Sequence, residues 1–230
     1  MPPDQPRRVI VTIDGPAGAG KSSIAKRLAG RLDLLYLESG AFYRAVALMA
    51  VRQPQFLRNS QGLEDFLATF QLQVVSKNEG FRLFVAGQDI TAGIRDPEVS
   101  RIASQVATLR PVRQWVHDRL RQIAGSGGVI AEGRDMGTKV FPEAEVKIFL
   151  DASLEVRAHR RWLELQNQGN ALRENAILED IAQRDRRDRE RVEDPLSMPP
   201  GAHYIDSTAY DLKRVEDICL HLIQPYIKTG

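Results

Sequence analysis

Short apolar runs alternate with stretches of helical spacing along most of the chain. The first run, residues 8–13 (RVIVTI), is continuous and β-branched, which predicts a strand that is buried on both faces. Residues 22–32 then place apolar side chains at positions 24, 25, 28, 29 and 32, the spacing of one helix face. Five strands that alternate with helices predict an α/β fold, in which helices cover both faces of a parallel five-stranded sheet. The four further strand candidates are residues 34–37, 129–131, 146–150 and 203–206.

The alternation is interrupted between residues 58 and 93. A short helix at residues 63–70 precedes two strand candidates, at residues 72–75 and 81–85, with a turn at residues 78–80 between them. Strands that are joined by so short a turn pair antiparallel. We therefore expect a small antiparallel insertion within an otherwise single domain that spans residues 1–230.

Composition excludes some classes of protein and leaves others open. The 230 residues are 43% hydrophobic and 27% charged, with a net charge of +2, which is ordinary for a globular protein. No apolar stretch is long enough for a membrane helix, and the first eight residues lack the apolar segment of a signal peptide. The one cysteine, Cys219, falls on the apolar stripe of the last predicted helix, so we expect a core residue. These features favour a cytoplasmic protein without a membrane partner.

The segment between the first strand and the first helix reads GPAGAGKSS. It satisfies the G-x-x-x-x-G-K-[ST] pattern, and its strand and helix neighbours are the context that the pattern needs. Backbone N–H groups in such a loop bind phosphate oxygens, and side chains would block the approach. Lys21 would reach the outer phosphates of a nucleoside triphosphate, and the Ser22 hydroxyl would be a Mg²⁺ ligand. The fold expectation thus narrows to the P-loop NTPase type, with ATP bound by Gly15, Pro16, Ala17, Gly18, Ala19, Gly20, Lys21, Ser22 and Ser23.

The loop leaves the acceptor of the phosphate open. Three classes compete: a small-molecule kinase, an NTPase of the switch or motor type, and a nucleic-acid-binding ATPase. A GTPase would carry an N-K-x-D motif that reads the base, and the sequence has none. A kinase needs a second anion pocket lined with arginines and a segment that closes to exclude water.

Two segments fit the second anion pocket. Arg44 lies just after a serine at a strand-to-helix turn, and residues 132–137 (EGRDMG) follow a core strand. Ligands in such sheets bind at the carboxyl ends of strands, so a cluster of charged residues there favours function. Either Glu132 or Asp14 could assist Mg²⁺, and the sequence does not choose between them.

Residues 154–192 fit the closing segment. Two predicted helices, joined through Gly169 and Asn170, would form a hinged basic lid. An exposed helix with i,i+4 ion pairs would explain the charges by composition alone, and a nucleic-acid surface is a further alternative that the interleaved acids weaken. The charges in question are Arg157, Arg160 and Arg161 on the first helix, and Arg184, Asp188 and Arg191 on one face of the second.

These motifs together resemble the bacterial cytidylate kinase family, within the nucleoside monophosphate kinases. The resemblance runs over nearly the whole chain, and the pair of blocks EGRDMGT and ASQVA is far more specific than the phosphate loop alone. The insertion at residues 58–93 resembles the substrate-side subdomain of this family. The matching blocks, in order, are TIDGPAGAGKSS, SGAFYR, IRDPEVSRIASQVA, RPVR, EGRDMGTKVFPEA, KIFLDAS, RAHRR and RDRRDRER.

The resemblance implies transfer of a phosphoryl group from ATP to CMP or dCMP, with Mg²⁺. Arg113 and Asp135 would read cytosine, since a carboxylate accepts from its exocyclic amine and a guanidinium donates to its ring acceptors. Arg44, Arg134 and Arg191 would hold the CMP phosphate. The full set that the resemblance implies for CMP is Ser39, Arg44, Ser104, Arg113, Arg134, Asp135, Arg184, Asp188 and Arg191.

Catalysis would come from charges that neutralise the transferred group. The predicted catalytic residues are Lys21, Arg134, Arg157, Arg161 and Arg191. We expect small-molecule substrates only, no nucleic-acid partner and a monomer.

Overall fold

The computed structural model describes residues 9–57, 60–77, 80–125, 127–167, 169 and 172–227. Several expectations fall outside these residues: the structure of residues 1–8, the start of the insertion at Arg58, part of the turn at residues 78–80, and Asn170 of the hinge. The strands in the described residues are β1 (Ile10–Asp14), β2 (Leu35–Glu38), β3 (Leu72–Lys77), β4 (Gly80–Val85), β5 (Gln88–Asp89), β6 (Val129–Gly133), β7 (Val146–Asp151) and β8 (His203–Asp206).

The helices follow the predicted spacing closely. Short 3₁₀ turns lie at Pro54–Leu57, Gly93–Arg95 and Gln224–Tyr226, and a π-helical turn lies at Met136–Val140. The α-helices of the described residues are α1 (Lys21–Leu32), α2 (Ser39–Arg52), α3 (Ser60–Thr69), α4 (Pro97–Val106), α5 (Arg110–Ala124), α6 (Leu154–Asn167), α7 (Glu174–Glu190) and α8 (Leu212–Ile223).

The described residues form two compact units. Unit 1 comprises those within Met1–Leu34 and Ser126–Gly230, and unit 2 those within Leu35–Gly125. In unit 1, β1 pairs in parallel with β6 on one side and β7 on the other, and β7 pairs in parallel with β8. All five residues of β1 are buried, as a continuous β-branched run predicts. A five-stranded sheet is present, so the predicted five-stranded α/β architecture is confirmed.

Unit 2 contains the predicted antiparallel element. Strands β3 and β4 pair antiparallel, with Leu72 opposite Val85. The sequence predicts that residues 87–89 end β4, but Gln88–Asp89 instead form the additional strand β5, antiparallel to β4. Ala86 and Gly87 have φ of 48° and 78°, which is the two-residue turn that a tight hairpin needs. An alanine with positive φ carries no turn signal in the sequence, and this is why the prediction missed the hairpin.

Two differences from the predicted elements affect the candidate site. Strand β6 continues past Ala131, because its parallel pairing with β1 extends to Glu132 and Gly133. The sequence pattern predicts no element at residues 136–140, where the chain forms its π-helical turn. Both features lie at the carboxyl end of β6, where we expected ligand-binding residues.

The expectation for Cys219 is confirmed. Cys219 is fully buried on α8, and burial raises the pKa of its thiol to about 12, consistent with a core residue. Ser153 caps α6, since its Oγ accepts from the Val156 N–H at 3.3 Å. Among the described residues, no helix is both long and apolar enough to cross a membrane.

Candidate active site

The predicted phosphate loop connects β1 to α1 and depends on its glycines. A Cβ on Gly15, where φ is 146°, would lie 1.9 Å from the Leu150 carbonyl oxygen. A Cβ on Gly18, where φ is 76°, would lie 3.0 Å from the Arg157 carbonyl oxygen. Gly20 has φ of 92° and ends the loop just before α1. The loop shape is therefore accessible only to residues without a side chain at these points.

Lys21 lies at the first position of α1 and folds back over the loop. Its Nζ donates to the Pro16 carbonyl oxygen at 2.7 Å, and only 5% of the residue is exposed. Burial lowers the pKa of Lys21 to about 7, and the charge of the nearby Arg134 adds to this effect. An anion at this position would stabilise the charged ammonium, so the site favours a ligand with negative charge.

The two candidate carboxylates have different partners. The Asp14 oxygens accept from the backbone N–H groups of Met136 at 2.8 Å and Gly137 at 2.7 Å. Glu132 Oε1 instead accepts from Ser22 Oγ at 2.7 Å. Asp14 therefore holds the π-helical turn, while Glu132 and Ser22 present two oxygen ligands side by side beside the loop.

Arg134 follows β6 and is paired with α7. Its Nε donates to Asp188 Oδ2 at 2.8 Å, and its Nη1 donates to the Gly133 carbonyl oxygen at 3.2 Å. Arg191, one residue beyond α7, places Nη1 3.8 Å from Asp188 Oδ1. Burial favours the neutral form of Asp188, but the Arg134 and Arg184 charges outweigh it and hold its pKa below the usual value. The structure thus brings together three predicted site residues: Arg134 after β6, Asp188 on α7 and Arg191 just after α7.

The two arginines of α6 that were predicted to be catalytic differ in burial. Arg157 is 4% exposed, and its Nη1 donates to the Ala17 carbonyl oxygen at 2.9 Å and to Asp185 Oδ2 at 2.5 Å. Arg161 has a side chain that is 44% exposed and pairs with Glu164 at 2.6 Å. In this structure Arg157 contacts the phosphate loop itself, and Arg161 pairs on the outer surface of α6.

Asp185 is a residue that the sequence reasoning missed. It is 4% exposed, although it lies inside the most charged run of the chain. The signal was available: Ile177, Ile181 and Asp185 are spaced i, i+4 and i+8 on the buried stripe of α7. An acid on an apolar stripe indicates a buried partner, which here is Arg157.

Unit 2 holds two of the predicted residues at the start of α2. Ser39 is the first residue of α2 and is 4% exposed. The Arg44 guanidinium pairs with the Glu38 carboxylate, and its Nη1 lies 3.2 Å from where a Cβ on Gly40 would be. Gly40 therefore leaves room for the arginine to lie along the helix.

The two other predicted residues of unit 2 lie on α4 and α5. Ser104 is half-buried on α4. Arg113 is only 2% exposed, its Nη1 donates to the Ala107 carbonyl oxygen at 3.1 Å, and its guanidinium lies 5.7 Å from the centre of the Tyr43 ring. A buried guanidinium that is held by a carbonyl and an aromatic ring is an ordered donor rather than a solvated surface charge.

Comparison with known proteins connects this geometry to a family. The family model described as Cytidylate kinase matches residues 11–225. The chain is 39% identical to the Cytidylate kinase of Solibacter usitatus, covering 97% of this chain and 96% of that protein. It is 42% identical to the Cytidylate kinase of Shigella boydii serotype 4, covering 90% of this chain and 91% of that protein.

Other relatives are longer or more distant. The chain is 43% identical to a Bifunctional pantoate ligase/cytidylate kinase of Synechococcus sp. (strain JA-3-3Ab), with 99% of this chain covered, but it spans only 43% of that protein's length. An uncharacterized protein from Eubacterium ventriosum has a related fold, with a TM-score of 0.52 at 13% identity over 94% of this chain and 99% of that chain. The match over residues 11–225 and the identities of about 40% show that the chain belongs to the cytidylate kinase family.

Proposed function

We propose that the protein transfers the γ-phosphoryl group of ATP to CMP or dCMP and releases ADP with CDP or dCDP. The observation that carries this proposal is the buried Lys21 beside a glycine-shaped phosphate loop, with Arg134 close enough to depress the lysine pKa. Such a site binds polyphosphate, and membership of the cytidylate kinase family supports the choice of acceptor. The relatives named above carry the same activity in their names.

ATP would bind along Gly15–Ser23. The backbone N–H groups at the start of α1 would donate to the phosphate oxygens, and Lys21 would exchange its hydrogen bond with Pro16 for one with an outer phosphate. The negative charge would raise the pKa of Lys21 from about 7 and keep it protonated during transfer.

Mg²⁺ fits the pair formed by Ser22 and Glu132. A hydroxyl and a carboxylate oxygen 2.7 Å apart are the hard oxygen donors that this cation prefers. Bound there with ATP, the cation would neutralise charge on the phosphates. Asp14 is less suited to this role, because both of its oxygens already accept backbone N–H groups.

The transfer itself needs no covalent intermediate. The acceptor is a phosphate oxygen of CMP, which is already a nucleophile and needs little help from a general base. Lys21, Arg134 and Arg191 would hold the reacting phosphates in line and neutralise developing charge. Arg157 and Arg161 were predicted to act on the same group, and for Arg157 the contacts with Ala17 and Asp185 support a different role, argued below.

Recognition of the acceptor follows the roles that the family resemblance implies. Arg113 and Asp135 would read cytosine, and Arg44 would bind the CMP phosphate together with the arginines named above. Ser39, Ser104, Arg184 and Asp188 would complete the contacts. The cytoplasmic location and the monomeric state stay predictions.

A release assay for ADP tests the proposal. The protein would be supplied with ATP and Mg²⁺ and with CMP, dCMP, UMP, AMP, dTMP or no acceptor. We expect release that depends on CMP and dCMP and is much weaker with the other acceptors. Release without an acceptor, or release that only DNA or RNA stimulates, would contradict the proposal and favour an NTPase.

A further inference from the structure

Ala17 lies in the middle of the phosphate loop. Its N–H, its carbonyl oxygen and its methyl group all contact the α6–α7 hairpin. Its N–H donates to Asp185 Oδ1 at 3.1 Å, and its carbonyl oxygen accepts from Arg157 Nη1 at 2.9 Å. Its methyl group is buried in an apolar cluster of the same hairpin. The buried members of this cluster besides Ala17 are Ala158, Ile177 and Ile181.

The start of α6, which carries Arg157, is itself hydrogen-bonded to the sheet. Arg157 Nε donates to the Ala152 carbonyl oxygen at 2.8 Å, just beyond the end of β7. One turn further along α6, Arg160 donates to the Ser207 carbonyl oxygen at 2.7 Å, just beyond the end of β8. The start of α6 is therefore anchored to the carboxyl ends of two strands of the sheet.

Asp185 completes the set of bonds made by Arg157. The two side chains are 5% and 6% exposed, and Nη1 lies 2.5 Å from Oδ2. A buried ion pair is costly to desolvate, so it is weak evidence for stability by itself. Here each member of the pair also satisfies one polar group of the same loop residue, which points to a role in holding the loop.

We propose that Asp185 is a positioning residue for the phosphate donor: with Arg157, it fixes the peptide groups of Ala17 so that the loop is ready to bind polyphosphate. This rests on the proposed function. The peptide bond is planar and trans, so holding the Ala17 carbonyl towards Arg157 turns the N–H of Gly18 the opposite way. Gly18 is exposed and takes a positive φ of 76°, and its N–H is the next donor along the phosphate loop.

The alternative role for Arg157 is direct contact with the ATP phosphates. In that case Asp185 would compete with the phosphates for the guanidinium, and its loss would leave ATP affinity unchanged or increased. If Asp185 positions the loop, its loss lowers ATP affinity. The two roles therefore predict opposite results for the same substitution.

The first test is Asp185→Asn, with ATP affinity measured by calorimetry. The asparagine oxygen can still accept from Ala17, but its amide would face the Arg157 guanidinium, donor against donor. We expect the Kd of ATP to rise about tenfold, the size of one lost charge-assisted hydrogen bond. The KM of CMP should stay within about twofold, because the substitution acts on the donor side.

The matched control is Asp180→Asn, an exposed acid on the same helix. This variant should bind ATP as the unmodified protein does. An unchanged ATP Kd in a folded Asp185→Asn protein would overturn the positioning role. Failure of the unmodified protein to phosphorylate CMP would instead overturn the proposed function, so the two failures are distinguishable.

Arg157→Lys keeps the proposal testable if Asp185→Asn does not fold. A lysine keeps the charge but cannot bond Ala152, Ala17 and Asp185 together. We expect a higher ATP Kd, while the KM of CMP stays within about twofold because the substitution acts on the donor side. An unchanged ATP Kd in a folded Arg157→Lys protein would overturn the proposal.

Discussion

The connections that follow β1 and β6 lie on neighbouring parallel strands, yet they are shaped in opposite ways. The phosphate loop after β1 depends first on its own glycines, with positive φ at Gly15, Gly18 and Gly20, and the α6–α7 hairpin adds bonds to Ala17 between them. The turn after β6 takes its form from Asp14, which accepts two of its backbone N–H groups across the sheet. Glycines at fixed spacing can be recognised in the sequence as a motif. A turn that depends on a carboxylate 122 positions away in the chain cannot.

The two connections also differ in how firmly they hold positive charge. Burial and the nearby Arg134 lower the pKa of Lys21 to about 7, so its charge depends on an incoming anion. For Arg134 burial acts in the same direction, but the Asp188 carboxylate outweighs it and raises the pKa. Near neutral pH, Lys21 is therefore fully protonated only with an anion bound beside it, whereas Arg134 keeps its charge without one.

The largest expected effect comes from removing either cation. We expect Lys21→Ala and Arg134→Ala each to lower turnover with CMP by roughly 10³-fold or more, since such cations neutralise charge on the transferred phosphate. Lys26→Ala, an exposed lysine on the same helix as Lys21, should leave turnover unchanged. Steady-state kinetics with circular dichroism checks this, and near-normal turnover in a folded Arg134→Ala protein would remove Arg134 from the site.

A smaller effect separates the two carboxylates at the strand ends. We expect Glu132→Gln to raise the Mg²⁺ concentration for half-maximal activity by about 10- to 100-fold, because the amide is a weaker ligand beside Ser22. Glu143→Gln, an exposed acid on the segment before β7, is the matched control. A magnesium titration of activity is the measurement, and an unchanged midpoint for Glu132→Gln would exclude it from the metal site.

The preference for CMP over UMP tests the role of Asp135, at the start of the turn after β6. Asp135 is 1% exposed, and we expect Asp135→Ala to reduce the preference for CMP over UMP by about tenfold or more, since a buried acceptor for the cytosine amine is lost. Asp135→Asn should move the preference further towards UMP, because its amide can donate to the uracil carbonyl. The measurement is kcat/KM for both acceptors, and an unchanged ratio in both variants would contradict the base-reading role.

The smallest expected effect concerns stability rather than activity: a pH dependence of the free energy of unfolding that comes from Asp14. Burial raises the pKa of Asp14 from 3.8 to about 7. Its favourable contribution is therefore complete below about pH 4 and is lost as the pH rises to 7, by at most about 1.4 kcal/mol per pH unit. Lys21 adds little slope below about pH 6, but close to pH 7 its lowered pKa adds a slope of the opposite sign, because the unfolded state binds more protons there.

Denaturant unfolding between pH 4 and 7 measures this contribution. The free energy of unfolding should fall less steeply with pH in Asp14→Asn than in the unmodified protein, whatever the offset between the two. Asp217→Asn, an exposed acid on α8, should keep the slope of the unmodified protein. Parallel curves for Asp14→Asn and the unmodified protein would show that Asp14 has an ordinary pKa.

Local patterns predicted the architecture well. The β-branched run of β1, the helical spacing of α1 and the antiparallel pair β3–β4 all appear with boundaries shifted by only a few residues. Strand β5 was missed because its turn uses Ala86 at positive φ, and the π-helical turn was missed because its N–H groups find their acceptor on another strand. The errors fall where a conformation is imposed from outside the local segment.

The sequence by itself determined the phosphate loop, since glycine, lysine and serine at fixed spacing between a strand and a helix meet the geometric needs of a phosphate directly. Only the tertiary structure decided which carboxylate faces Ser22 and that Arg157 contacts the loop. These choices depend on contacts between residues far apart in the chain, 110 positions for Ser22 and Glu132 and 168 for Ala17 and Asp185. Asp14 and Glu132 are both carboxylates at the ends of paired strands, and they differ in the groups that the fold packs against them. The spacing of apolar and polar residues along the chain does not contain that information.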